Sequence, residues 1–150
     1  MLVRVKREPE LQPLSREHHF GLVLARRARR STEETCAKVA RSICDAWEQW
    51  LQAHFRVEEQ ALSSLLNGAQ TEQLKAEHAQ LAELVAQLQA EPSLATLHEL
   101  GTLFDQHIRW EERSLFPELE ASADREQFAA AGKAILESCG HTPSCDLSDG

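Results

Sequence analysis

The chain has 150 residues and a formal net charge of −8, from 16 basic and 24 acidic side chains. A chain of this length predicts one domain with a sizeable hydrophobic core, and the acidic balance disfavours nucleic acid and anionic membranes as partners. There is no apolar run of about 18 residues that could span a membrane, and the first residues lack the apolar segment of a signal peptide. We therefore expect a cytoplasmic protein with no membrane partner.

Helical periodicity runs through almost the whole chain, whereas the polar–apolar alternation typical of strands is nearly absent. Four apolar stripes with helical spacing follow one another, beginning at Leu11, Trp47, Leu74 and Leu100. A shorter fifth helix is expected from Asp124 to Cys139. The pattern predicts an all-α fold, an antiparallel up-down four-helix bundle with a short fifth C-terminal helix.

Residues typical of helix ends separate the stripes. Ser31-x-x-Glu34 has the form of a capping box, and Asn67-Gly68 predicts a helix stop followed by a turn. Glu91-Pro92-Ser93 predicts a break, and Pro117 is expected to close the fourth helix.

The chain also contains a duplicated unit, in which a Glu-His pair is followed by a His-x-x-x-Glu-Glu block. Its two copies are Glu17-His18 with the block from His54 to Glu59, and Glu77-His78 with the block from His107 to Glu112. The spacing of four residues places a His and a Glu on one face of a helix. In each stripe these residues lie among the apolar positions, which predicts that they are buried.

Buried carboxylates are costly unless they are paired or bound to a cation. The candidate metal ligands are His18, His54, Glu58, His78, His107 and Glu111. Mixed imidazole and carboxylate ligands suit iron, manganese or zinc. Two carboxylates that each bridge two ions indicate a dinuclear centre with open positions for an oxo or hydroxo bridge and an exogenous ligand, which favours two iron ions over a closed zinc site. A hydrogen-bonded polar layer without metal is the alternative.

The turns offer a test of whether the ligands share one level of the bundle. Each turn should lie midway between consecutive ligand histidines. The midpoint of His54 and His78 is residue 66, and that of His78 and His107 falls between residues 92 and 93, both at expected turns. The midpoint of His18 and His54 is residue 36, five residues beyond Ser31, so the second helix is expected to be longer than its partner or bent at its start.

Other polar residues are assigned to the surface or to a supporting role. His19 lies about 100° round the helix from His18 and is expected beside the site or at the surface. Glu59 and Glu112 are expected to be solvated or ion-paired, and His98 to be exposed. The basic cluster from Arg26 to Arg30 is expected to form a solvated helix face.

The four cysteines form no metal-binding or redox motif. Cys36 and Cys44 are expected to be reduced structural thiols. Cys139 and Cys145 flank a tail that contains His141, for which a frayed terminus is favoured over a metal or redox element.

The order His, HxxxE, His, HxxxE resembles the hemerythrin family in its bacterial HHE cation-binding form. The phrases from Leu14 to His19 and from Glu111 to Pro117 are also similar to that family's first-helix and last-helix signatures. The resemblance covers roughly residues 11–120 and implies an antiparallel four-helix bundle. We expect residues 1–120 to form this domain and residues 121–150 to form a C-terminal helix and flexible tail. The resemblance also implies a non-haem di-iron centre held by the six candidate ligands.

The chain departs from the oxygen-carrying hemerythrins, which place a second His one turn along the third helix, where this chain has Ala82. One nitrogen ligand fewer leaves a more open centre. A protein that binds or senses dioxygen, redox state or nitric oxide is therefore favoured over an oxygen carrier. An enzyme that reduces peroxide or nitric oxide, or a protein that delivers iron for repair, is the alternative.

Overall fold

A computed structural model describes residues 6–139, which are helical apart from short connections and contain no strand. Helix α1 spans Gln12–Arg29. Helix α2 spans residues 36–61 and consists of Cys36–Ala46, a π-helical turn Trp47–Leu51, and Gln52–Ala61. Helix α3 spans Gly68–Ala90. Helix α4 spans residues 94–122, as Leu94–Trp110, a π-helical turn Glu111–Leu115, and Phe116–Ser122. Helix α5 spans Arg125–Ser138.

The expected architecture is confirmed, since α1 to α4 form the bundle and α5 is the short fifth helix. The most extensive packing between bundle helices joins α1 to α4. It depends on glycine, because a Cβ on Gly101 would lie 2.7 Å from the carbonyl oxygen of Ala25, and a Cβ on Gly21 would lie 2.8 Å from Ile108. No helix among residues 6–139 is long and apolar enough to cross a membrane.

Two apolar cores occupy the two ends of the bundle. The first core is built around Ile43, Leu81, Leu100 and Phe104. The second core is built around Leu11, Leu62, Phe116, and Phe128 and Ile135 of α5. Burying each such side chain stabilises the fold by about 1.5–3 kcal/mol, so α5 is held against the bundle by its apolar face. The level between the two cores is polar.

Several expected helix ends are confirmed. Asp124 caps α5 by accepting hydrogen bonds from the backbone N–H groups of Glu126 and Gln127. Helix α3 ends before Pro92, and Ser93 caps α4. Asn67, in contrast, does not stop α2, which ends at Ala61. Its side chain caps the start of α3 in a capping box with Gln70.

Two other expectations about helix ends are wrong. The capping box at Ser31 does not form, because the Ser31 hydroxyl donates a hydrogen bond to the Arg27 carbonyl and α2 begins only at Cys36. Pro117 does not end α4. It lies in the first turn after the π-helical turn, where a missing N–H is tolerated, and the helix continues to Ser122.

Candidate metal centre

The polar level between the two cores contains all the candidate ligands. Each is at most 4 % exposed. Their ligand atoms form two overlapping groups, and within each group they lie within 4.8 Å of one another. The first group is His18, His54, Glu58 and Glu111, and the second is Glu58, His78, His107 and Glu111. Each HxxxE helix therefore contributes one carboxylate that is common to both groups.

The two shared carboxylates face the Nε2 atoms of the histidines. Glu58 Oε2 lies 3.1 Å from Nε2 of both His18 and His54, and Glu58 Oε1 lies 3.0 Å from Nε2 of His78. Glu111 Oε1 lies 2.7 Å from Nε2 of His107 and 3.3 Å from Nε2 of His18. All four imidazoles thus point the same nitrogen at the centre of the bundle.

Three buried atoms indicate that this cluster fits a cation. His107 Nε2 and both carboxylate oxygens of Glu111 have no hydrogen-bond partner among residues 6–139. The short distance between His107 and Glu111 does not have hydrogen-bond geometry. Buried polar atoms without partners are costly, and a cation between them would satisfy all three. Nitrogen and oxygen donors of this kind suit iron, manganese or zinc.

A second set of carboxylates is hydrogen-bonded to Nδ1, the outer ring nitrogen, of every candidate histidine, at distances of 2.6–2.7 Å. The pairs are Glu17 with His54, Glu59 with His78, Glu77 with His107, and Glu112 with His18. An Nδ1–H that donates to a carboxylate leaves the Nε2 lone pair available to a metal, and it fixes the orientation of the ring.

These pairs follow one direction around the bundle. Each Glu lies on the helix that precedes its His partner, from α1 to α2, α2 to α3 and α3 to α4, and Glu112 closes the circle from α4 to α1. Of the two expectations for Glu59 and Glu112, ion pairing is confirmed and solvation is wrong, but sequence analysis did not predict that their partners are the candidate histidines His78 and His18. The signal was present, because both Glu-His pairs and both Glu-Glu pairs belong to the duplicated unit.

Electrostatics at the centre favour imidazolium and carboxylate when no metal is bound. Burial alone would lower the pKa of His54, but the charge of Glu58 and the hydrogen bond to Glu17 raise it to about 9. Burial likewise opposes the shift at His107, where the charge of Glu111 and the bond to Glu77 raise the pKa to about 10. Burial would raise the pKa of Glu58, but the charge of His54 and hydrogen bonds with its neighbours lower it well below its usual value. A metal must therefore displace protons from the histidines.

Aromatic rings complete the walls of the polar level. Phe55 is stacked on His78, with the ring centroids 4.0 Å apart, and Phe116 is stacked on His18 at 5.5 Å. Trp50 meets His54 edge to face with the ring centroids 6.1 Å apart, and Trp110 is tilted against His107 with the centroids 6.0 Å apart.

The remaining candidates lie away from the two groups. His19 and His98 are exposed, as expected. Cys36 and Cys44 are free thiols, and so is Cys139, which donates a hydrogen bond of 3.6 Å to Glu17. Burial and the charge of Glu17 raise the pKa of Cys139 to about 12, so that thiol stays protonated. His141 and Cys145 lie outside the described residues.

Comparison with known proteins identifies the family. The hemerythrin HHE cation-binding domain matches residues 11–119, and a second match covers residues 69–135. No curated protein and no solved structure matches the chain. The first match covers α1 to α3, all but the last three residues of α4, and all the candidate ligands. The chain therefore belongs to the hemerythrin family of HHE cation-binding domains.

Proposed function

We propose that this protein holds a non-haem di-iron centre and uses it to bind or sense dioxygen, redox state or nitric oxide. One observation carries the proposal: two histidine pairs lie on opposite sides of two shared, buried carboxylates. One ion would be held by His18 and His54, and the other by His78 and His107. Glu58 and Glu111 would bridge them.

The ligand count supports an open centre. Two histidines and two bridging carboxylates give each ion four protein ligands, out of about six positions in octahedral geometry. Iron bound there would supply reversible one-electron chemistry and affinity for small ligands. The chain itself fixes the imidazoles through the outer ring of carboxylates and excludes bulk water through the two apolar cores. Such a site suits ligand binding, because its polar groups are already in place.

Metal analysis is the first test. Protein purified in air should contain about two irons per chain, as expected for carboxylate-bridged sites in helical bundles. His18→Ala should lower the iron content strongly, whereas His19→Ala, at the adjacent exposed position, should leave it unchanged. Equal losses in the two variants would contradict the ligand assignment, and stoichiometric zinc with no bound iron would contradict the choice of metal.

The second test separates the functional classes. Anaerobically reduced protein is titrated with dioxygen, nitric oxide or peroxide while its optical spectrum is recorded. Stoichiometric oxidation by dioxygen without further turnover is expected for a sensor. A spectrum that changes with dioxygen and returns under vacuum would indicate a carrier. Sustained consumption of peroxide or nitric oxide in the presence of a reductant would indicate an enzyme. A protein inert to all three would contradict the proposal.

A further inference from the structure

The carboxylate that binds His18 is itself held by the segment before α1. Arg7 donates a hydrogen bond of 2.8 Å to the backbone carbonyl of Glu112 and forms an ion pair of 3.3 Å with its Oε1. The Ser15 hydroxyl donates to Oε2 of the same carboxylate at 2.7 Å. Charge-assisted hydrogen bonds fix a carboxylate in one orientation. Although it is partly exposed, Glu112 is therefore restrained at both oxygens while it binds His18.

The guanidinium of Arg7 is fixed by further contacts. The side chain of Arg7 is only 13 % exposed and forms an ion pair of 2.7 Å with Glu120. Its guanidinium carbon also lies over the ring of Phe116, 5.4 Å from the centroid, and that ring is stacked on His18 at 5.5 Å. A cation over an aromatic face is attracted to it. Arg7 thus contacts both the carboxylate and the aromatic ring that adjoin His18.

The carboxylate that binds His54 is supported by the other end of the described chain. Glu17 lies 2.7 Å from Nδ1 of His54 and accepts a hydrogen bond of 3.6 Å from the thiol of Cys139, which follows α5. Both outer carboxylates of the first ligand group are therefore restrained by segments that lie outside the four bundle helices.

The outer carboxylates of the second ligand group have less support. Glu59 binds His78, and residues 6–139 offer it no other hydrogen bond or ion pair. Glu77 binds His107, and its other partner is Gln73, one turn earlier on the same helix. Both carboxylates are partly exposed. Within the described part of the chain, neither is held by a segment from outside the bundle.

A surface groove reaches the second ligand group. It lies between α2 and α3, has a volume of about 420 Å³, and is lined by His78 and Glu59 together with the cationic side chains of Arg56 and Lys75. A candidate ligand and its outer carboxylate thus lie at the wall of a space that is open to solvent. The two positive side chains allow an anionic chelator to approach, although the formal net charge of the protein is −8.

We propose that the two metal positions exchange with solution at different rates. The ion in the second ligand group enters and leaves through the groove between α2 and α3. The ion in the first ligand group is retained, because Arg7 and Cys139 restrain its outer carboxylates. Arg7 is a positioning residue that acts through Glu112. The inference rests on the proposed function and deepens it, since a form with one retained ion becomes the resting state when metal is scarce.

Zinc is a suitable probe, because it binds nitrogen and oxygen donors and needs no redox chemistry. Protein loaded with two zinc ions is mixed with excess pyridylazoresorcinol, an anionic chelator that changes colour when it binds zinc. Zinc should leave in two phases of equal amplitude, with rates that differ by about tenfold or more. After the fast phase, the imidazole NMR signals of His78 and His107 should be those of metal-free protein, and those of His18 and His54 should be unchanged.

Three results of this experiment would overturn the proposal. They are release of zinc in a single phase, a slow phase that belongs to His78 and His107, and binding of fewer than two zinc ions.

Variants assign each phase to its carboxylate. Arg7→Gln should accelerate the slow phase about tenfold and leave the fast phase unchanged, and Arg7→Lys should have a smaller effect. Glu59→Gln should accelerate the fast phase alone. Arg125→Gln is the matched control, because Arg125 also forms an ion pair and lies over an aromatic ring, but its contacts within residues 6–139 include no outer carboxylate.

The choice of phase separates positioning from a general loss of stability. A variant that only loosened the bundle would accelerate both phases. Equal acceleration of both phases by Arg7→Gln, or an equal effect of Arg125→Gln on the slow phase, would overturn the role of Arg7.

The two inferences can fail separately. If zinc leaves in the two expected phases but the protein contains no iron or does not react with dioxygen, the difference in retention stands and the proposed function fails. If iron content and reactivity are as proposed but zinc leaves in one phase, only the difference in retention fails.

Discussion

In both copies of the duplicated unit, a carboxylate binds the histidine of the HxxxE block in the same way. The two carboxylates differ in how far the rest of the protein shields them from solvent. In the first copy, Glu17 holds His54 and its side chain is only 6 % exposed, because α5 lies over it and Cys139 donates to the same carboxylate oxygen. In the second copy, Glu77 holds His107 at nearly the same distance, but its side chain is 22 % exposed and its other neighbour is Gln73 on the same helix. The duplicated sequence thus supplies equivalent contacts, while the fifth helix makes the two sides of the centre unequal.

Loss of a shared carboxylate, Glu58 or Glu111, should impair metal binding by both copies of the duplicated unit at once. Glu58→Ala or Glu111→Ala should strongly lower iron content, and the double variant should contain almost none, because each residue belongs to both ligand groups. Removing one partner from a buried charged cluster costs about 3–5 kcal/mol. Iron analysis and chemical denaturation measure the two effects. Full iron loading of the double variant would contradict the bridging role.

Removal of the metal alone, with all the ligand residues still in place, should also destabilise both copies. A metal that binds the folded but not the unfolded chain adds about 4 kcal/mol at a free concentration of 1,000 times the dissociation constant. The melting temperature should therefore fall when iron is removed under reducing conditions and should return when iron is added back. Identical melting curves for metal-free and iron-loaded protein would show that the cluster needs no metal.

Glu17 and Glu77, the carboxylates that bind Nδ1 of His54 and His107, should show the effect of the difference in solvent exposure between the two copies. Loss of such a partner lowers metal affinity by about 10–100-fold. Glu17→Gln should be the more damaging change, because water cannot replace the buried carboxylate beneath α5. Glu77→Gln is the matched control at a position that water reaches. Metal affinities from competition with a chelator should therefore be lower for Glu17→Gln. A larger loss for Glu77→Gln would show that α5 does not protect the first copy.

The smallest expected effect concerns the titration of the ligand histidines in the metal-free protein. The pKa of His54 is raised to about 9 and that of His107 to about 10. A histidine whose pKa is raised by folding stabilises the fold fully below its unfolded pKa, and this contribution is lost as the pH rises through the folded value. Stability of the metal-free protein should therefore decline between about pH 6.5 and pH 10, and the imidazoles of the folded protein should keep their protons well above pH 6.5. Denaturation at several pH values and NMR titration of the imidazole signals measure both. Stability that rises over this range would contradict the charge assignment.

Much of the site could be predicted because its signals are local. The four-residue spacing of His and Glu, and the position of these residues inside apolar stripes, depend only on helix geometry. Those two observations placed all the candidate ligands in one level of the bundle. The hydrogen bonds of Glu59 and Glu112 were missed because they cross between helices. An angular argument made on one helix shows that they point away from their own His, but it does not show that they point toward a His on the next helix.

The helix ends show the same contrast between features set by neighbouring residues and features set by tertiary packing. The start of the fifth helix at Asp124 and the break at Glu91-Pro92-Ser93 are found where they were predicted, since both depend only on neighbouring residues, such as the caps that Asp124 and Ser93 provide. The capping box predicted at Ser31 and the helix end predicted at Pro117 are wrong. The tertiary structure sets where α2 begins, and it allows α4 to continue through a π-helical turn.

The helical class, the number of bundle helices and the candidate ligands at the polar level could all be predicted from the sequence. These follow from periodicity and spacing along single helices, which the chain encodes within a few turns. Only the folded structure shows which carboxylate binds which imidazole and which of the two copies α5 covers. Those features depend on the packing of side chains from different helices, and no local pattern in the sequence encodes that packing.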